Sequence, residues 1–252
     1  MTRTSNIAAA AVAACIALAG ANAANAADIA VSSNAPTTFV LSALIPMFET
    51  ASGNKVTVTY DGVPAMTEKV RSGGVDLVIN APAVIDGLVK GGKIAGPRID
   101  LFTSGVGLAV KVGAPKPDIS SAEALKKTLL AAKSVAHSQA QSGMYFLTVL
   151  DRLGIAEQMK PKLKVVASPV GAAAAKGDAE IAVQQLTELM PVPGAELVGP
   201  LPAELQTTIV YSAGVPLSAK QPDAAKALLK FFGSPAAAAV IKARGLQPVL
   251  VD

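Results

Sequence analysis

Two stretches of the chain spell out the same order of elements, and that repetition limits the possible folds more than any other feature. The first runs from Lys55-Val56-Thr57-Val58-Thr59-Tyr60 through Asp61-Gly62-Val63-Pro64 and a helical stretch ending at Arg71. It continues through Gly73-Gly74 into Val75 to Ile79. The second runs from Leu163 to Ser168 through Pro169-Val170-Gly171, an alanine-rich stretch and Gly177-Asp178 into Ala179 to Gln185. Each is a β-branched strand pattern, a glycine-bearing loop, a helix, a small turn with an acidic residue and a second strand. Units of this kind build mostly parallel sheets with helices on their faces. Two copies imply an α/β protein of two lobes facing each other across a cleft.

The flanking segments fill in the lobes. Ile29 to Val31 reads as a strand, Ser32-Ser33-Asn34-Ala35-Pro36 as a polar loop, and Thr37-Thr38 as the cap of a helix over Phe39 to Thr50. There Val40, Leu41, Leu44, Ile45, Met47 and Phe48 recur at helical spacing, and Gly53 stops the run. A short helix follows over Val84 to Lys90. Leu101 to Val112 reads as one long strand-like crossing between lobes, and Thr207 to Pro216 as the crossing back. Asp223 to Phe232 is an amphipathic helix with Ala224, Ala225, Leu228, Leu229 and Phe232 on its apolar face. The expected division is 27–105 with 212–252 in one lobe and 106–211 in the other.

At 252 residues and 51% hydrophobic, the chain is long enough to bury two cores. Its net charge of +4 comes from scattered Lys and Arg without a basic run, which argues against a nucleic-acid partner. Arg3, an apolar stretch from Ile7 to Leu18 and Ala24-Asn25-Ala26 make residues 1–26 a cleavable export signal, directing the chain to the periplasm. Cleavage there removes Cys15, the single cysteine; the competing reading is a lipid anchor on Cys15. One histidine and no retained thiol supply no metal set, and no cofactor is expected.

The stretches "FETASGNKVTVTYDGVPAMTEKVRSGGVDLVINAP", "AKSVAHSQAQSGMYF" and "AAKALLKFFGSPAAAAVIKARGLQPV" resemble the type 2 periplasmic solute-binding proteins of ABC transporters, in the branch of the molybdate-binding proteins. The likeness spans the chain after the signal. It implies a monomer of two lobes joined by two crossovers, closing on a small anion for delivery to a membrane permease. Some members of the wider family are periplasmic aconitate isomerases, and that likeness implies the alternative of proton transfer in the same cleft.

Carried over by position, the resemblance puts Ser32, Ser33 and Asn34 in the first ligand loop and Asp61 and Gly62 in the second. Ser138, Ser142 and Gly143 lie in the matching loop of the other lobe, followed by Val170 and Gly171. Where molybdate binders place a small hydroxyl residue, this chain has Asp61, whose charge argues against a dianionic oxyanion. Tyr211 lies on the return crossing and is assigned no contact.

The residues themselves support the same site. Helix N-termini offer unpaired amides and partial positive charge, glycine lets a ligand approach the backbone, and serine adds a donor. The competing reading of Ser138 and Ser142 is as caps of a helix beginning near Met144. Gln184 and Glu188 follow a strand at a reachable edge, and Arg98 is a candidate bidentate grip for a carboxylate. Should the protein be an enzyme, the candidate bases are His137, Asp61 and Glu188.

Overall fold

The computed structural model describes residues 26–249; the export-signal reading and the Cys15 alternative fall outside the described residues. The chain begins with β1 (Asp28–Ser33), a 3-10 turn (Ala35–Thr37), α1 (Thr38–Ser52), β2 (Lys55–Tyr60), α2 (Val63–Ser72), β3 (Leu77–Asn80), α3 (Pro82–Lys90) and β4 (Ile99–Ser104). A second group follows: β5 (Val106–Lys111), α4 (Ala122–Ala131), β6 (Val135–His137), α5 (Gln141–Arg152), α6 (Ala156–Met159), β7 (Leu163–Val165), α7 (Gly171–Lys176), β8 (Ile181–Gln185), α8 (Leu186–Leu189) and β9 (Ala195–Pro200). The chain then returns through β10 (Ile209–Gly214), α9 (Pro222–Phe232), α10 (Pro235–Ala243) and β11 (Gln247–Pro248).

The strands form two sheets, β11-β4-β10-β3-β1-β2 and β7-β6-β8-β5-β9. The repeat seen in the sequence is a repeat in space. In the first sheet β1 is flanked by parallel β2 and β3, and in the second β6 is flanked by parallel β7 and β8. The helices between the flanking strands, α2 and α7, end on Gly73 (φ 70) and Gly177 (φ 84) in the left-handed conformation, which only glycine adopts without strain.

The apolar periodicities face inward as their spacing demands. On α1, Val40, Leu41, Leu44, Ile45 and Phe48 are all buried, and on α9 Ala225, Leu228, Leu229 and Phe232 are. Each large side chain removed from water contributes about 1.5–3 kcal/mol, so the five on α1 alone anchor it against the sheet. Thr37 is the N-cap of α1, but its hydroxyl donates to the Asn34 carbonyl at 2.8 Å rather than making a capping bond to the helix.

The expected long strand over Leu101 to Val112 is two strands in different sheets, broken at Gly105. Apolar residues on both sides of the break hide it, because β4 and β5 are each buried within their own sheet. The return crossing also differs from expectation: β10 pairs with β4 from Ile209, three residues before the expected boundary at 212. Gln206 clips the two connections together. Its Oε1 accepts from the Val106 amide at 2.8 Å and its Nε2 donates to the Val106 carbonyl at 2.9 Å, as a strand neighbour would.

Candidate functional site: the edge where the two sheets meet

Strand direction decides where the site lies. β1, β2 and β3 run parallel, and β4 runs with them because both it and β3 are antiparallel to β10. In the second sheet β6, β7 and β8 run parallel, and antiparallel β5 starts where β8 ends. Gly105 alone separates Ser104 at the end of β4 from Val106 at the start of β5. The carboxyl ends of the parallel strands in both sheets therefore meet, which is where α/β proteins place ligands.

On the first lobe this edge carries Ser32 and Ser33, both fully buried. The Ser33 and Thr37 hydroxyls pair at 2.7 Å, and Ser32 donates to Asp61 Oδ2 at 2.7 Å. Asp61 also accepts from Thr59 at 2.7 Å and from Lys69 Nζ, 2.7 Å from Oδ2 and 2.9 Å from Oδ1. Burial alone would raise the Asp61 pKa; the hydrogen bonds from Lys69, Ser32 and Thr59, with the Lys69 charge, outweigh it and hold the carboxyl at about 2. The expected repulsion of a dianion by Asp61 is thus corrected, since Lys69, one face along α2, balances the charge. As a base Asp61 is a poor one, being almost fully ionised and committed.

This pairing has a consequence for acid stability. Because the folded pKa lies below the unfolded value of about 4, the Asp61 contribution is present above pH 4 and is lost as pH falls toward 2. Urea unfolding of the Asp61→Asn variant is expected to show a shallower loss of stability across that window than the native chain. Equal slopes would overturn the assignment.

On the second lobe α5 starts at Gln141 rather than near Met144, which puts Ser142 and Gly143 inside its first turn. Neither serine caps it: Ala140 is the N-cap, and Ser138 Oγ accepts from the Ala140 amide at 3.3 Å. Gly143 serves close approach, but to the protein itself. A Cβ there would stand 1.8 Å from the Ser138 carbonyl oxygen. His137 is buried, with Nδ1 3.1 Å from the Ser138 carbonyl and its ring 6.2 Å from that of Phe146.

The strongest cluster surrounds Gln184 and Glu188. Gln184 Nε2 donates to Glu188 Oε1 at 2.7 Å and to Ser168 Oγ at 2.8 Å, while its Oε1 accepts from the Val170 amide at 2.8 Å. The Val170 amide, expected to face a ligand, is therefore already used. Gly171 packs instead, since a Cβ on it would sit 3.1 Å from Val192. Burial pushes the Glu188 carboxyl up to about 7 against the hydrogen bonds from Ser168 and Gln184. Tyr211, assigned no contact from the sequence, comes across from β10 to donate to Gln185 Oε1. Burial and the Glu188 charge both raise its phenol.

Among the described residues three buried side-chain oxygens have no hydrogen-bond partner: Asn34 Oδ1, Ser142 Oγ and Thr187 Oγ1. Asn34 belongs to the first lobe and the other two to the second, and all three follow strands that end at the shared edge. On the second lobe a groove of about 430 Å³ is lined by Ser138, Gln139, Ala140, Val165, Val166, Ala167 and Ser168.

Arg98 is not part of this edge, which corrects the expectation of a carboxylate grip. It precedes β4, at the end of the sheet remote from Ser104, and is held by Asp86 at 2.7 Å and Asp100 at 3.0 Å. Six strand residues at about 3.3 Å each separate the two ends. The larger hollow of about 480 Å³ beside Arg98 is open and lies at that remote end.

The sequence model of the bacterial extracellular solute-binding proteins matches residues 29–247. The chain belongs to that family. This solute-binding protein is 37% identical over 215 residues to the aconitate isomerase of a Pseudomonas species, covering 81% of each chain. Its fold is that of a Clostridium difficile protein provisionally described as the substrate-binding domain of a molybdenum ABC transporter, at 20% identity and TM-score 0.76 over 89% of this chain and all of that one. The periplasmic molybdate-binding protein of Azotobacter vinelandii matches at 21% identity and TM-score 0.68, with the same coverage. The solute-binding protein thus has the two lobes its repeat implied and the type 2 architecture its resemblance implied.

Proposed function

We propose that the protein is a monomeric periplasmic receptor, exported by its first 26 residues, that closes on a small anion and delivers it to an ABC permease. The observation that carries this reading is the pair of hydroxyls Ser142 Oγ and Thr187 Oγ1, buried and unpartnered where the second lobe reaches the shared edge. A buried polar atom left without a partner costs about 1–3 kcal/mol, so a ligand oxygen that accepts from the two hydroxyls recovers that cost. The amides at the starts of α1 and α5 add donors and partial positive charge without any free cation. Closure pivots where Gly105 and the segment before Ile209 join the lobes, and contacts made by both lobes at once favour the closed form. A carboxylate fits best, because Glu188, once protonated, presents an O–H that a ligand carboxylate accepts.

A second reading is favoured by Glu188 together with the 37% identical aconitate isomerase. A carboxyl with a pKa of about 7 is suited to remove a proton at neutral pH and return it elsewhere on the same molecule. In a tricarboxylate that means taking a methylene proton, shifting the double bond and delivering the proton to the former vinylic carbon. Amides and hydroxyls at the edge would hold the charge that develops on the flanking carboxylate.

One pair of measurements tests both. Thermal shift with oxyanions, dicarboxylates and tricarboxylates identifies the ligand class, since a hundredfold excess over Kd adds about 2.7 kcal/mol of apparent stability. Proton NMR of cis-aconitate with the purified protein then follows the trans isomer. Stabilisation without turnover supports the receptor, turnover assigns the isomerase, and no stabilisation by any anion overturns both.

A further inference from the structure

Glu188 is a half-buried acid at the proposed binding edge that lacks a cation. None of the ion pairs among the described residues includes it. Its Oε1 is held by Gln184, which two further hydrogen bonds, from the Val170 amide and to Ser168, keep in place. Gln184 is fully buried, so its amide stays on the carboxyl. The preceding residue on the same short helix, Thr187, has one of the unpartnered oxygens, so the carboxyl and that hydroxyl are neighbours on α8.

The groups around it offer no compensation. Tyr211 from β10 is neutral, and Gln184 and Gln185 from β8 are amides. The charged residues on the other elements packed against α8 are remote: Lys111 ends β5 away from the shared edge, Glu196 begins β9, and Glu49 lies in the last turn of α1. Lys69 is taken by Asp61, and Arg244 donates to the Phe39 carbonyl while lying over the Phe39 ring. An anionic carboxylate brought to this edge therefore meets a second carboxylate with nothing to neutralise the pair. Two such groups in contact away from water do not both stay ionised.

We propose that Glu188 takes up one proton from solvent when a carboxylate anion enters the cleft, and then donates it in a hydrogen bond to a ligand carboxylate oxygen. The pair carries one negative charge instead of two, and no bond other than O–H is made. This inference rests on the carboxylate reading of the site. It makes the protein prefer carboxylates as pH falls and release them as pH rises. The elevated pKa of the free carboxyl, about 7, leaves it mostly ionised at slightly alkaline pH, so the uptake is measurable there.

Calorimetric titration with cis-aconitate and with tricarballylate, at about pH 8 in HEPES and in Tris, reads the proton directly, because the two buffers differ in ionisation enthalpy. The expected result is uptake approaching one proton per ligand, and an affinity that falls about tenfold for each pH unit above the Glu188 pKa. Glu188→Gln is expected to bind with heats independent of buffer. Binding to the native protein with the same heat in both buffers would overturn the inference while leaving the carboxylate reading intact, and this needs no variant to fold. Buffer dependence that persists in Glu188→Gln also overturns it. Binding of neither probe removes the carboxylate reading and the inference with it.

Discussion

Gly143→Ala is expected to destabilise the protein by about 3 kcal/mol or more, at the upper end of overpacking effects. The added methyl would lie 1.8 Å from the Ser138 carbonyl oxygen, 2.7 Å from its carbonyl carbon and 2.9 Å from its amide nitrogen. All three are backbone atoms, so no side chain can swing aside, and the loop over Ser138 must lift from α5. For a chain of this size that loss corresponds to a fall in melting temperature of about 6–12 °C. The displaced loop lines the groove at the binding edge, so ligand affinity is expected to fall as well. A Gly143→Ala protein that melts within a degree of the native one would show that the contact relaxes freely.

Asp76→Ala is expected to cost about 3–5 kcal/mol, because the carboxylate is a buried partner for three backbone amides. Oδ2 accepts from Ala30 at 2.9 Å, and Oδ1 accepts from Lys220 at 2.7 Å and Gln221 at 2.8 Å. These bonds tie β1 and the approach to β3 to the start of α9, segments about 145 residues apart in the chain. Removing the carboxylate strands all three donors where water reaches poorly. Asp76→Asn keeps one acceptor oxygen and should recover part of the loss. Chemical denaturation separates the cases; equal midpoints for Asp76→Ala and the native chain would contradict the bridging role.

Local patterns were legible where one face of one element decides the outcome. The spacing of Val40, Leu41, Leu44 and Phe48 marks α1, and Gly73 and Gly177 mark where α2 and α7 stop. Asp61 was visible as a site residue, yet its neutral pairing with Lys69 required the two to be seen on facing elements. The break at Gly105 was hidden because buried strands read as continuous apolar runs whichever sheet they join. Tyr211, Ser168 and Thr187 carried no local signal, since what distinguishes them is their setting among other elements, whereas Gln185 stood with Gln184 and Glu188 after a readable strand. Arg98 had the right chemistry at the wrong end of its strand.

The repeated strand, loop, helix and strand, read from residues alone, determined that the protein is α/β and two-lobed; the solute-binding architecture came from the resemblance of three longer stretches to that family. The former follows because periodicity and glycine stops are properties of neighbouring residues. Which amides and hydroxyls stay free, and that Glu188 is half-buried without a cation, was decided by tertiary structure. Desolvation and charge balance depend on atoms that the fold, rather than the order of the chain, brings together.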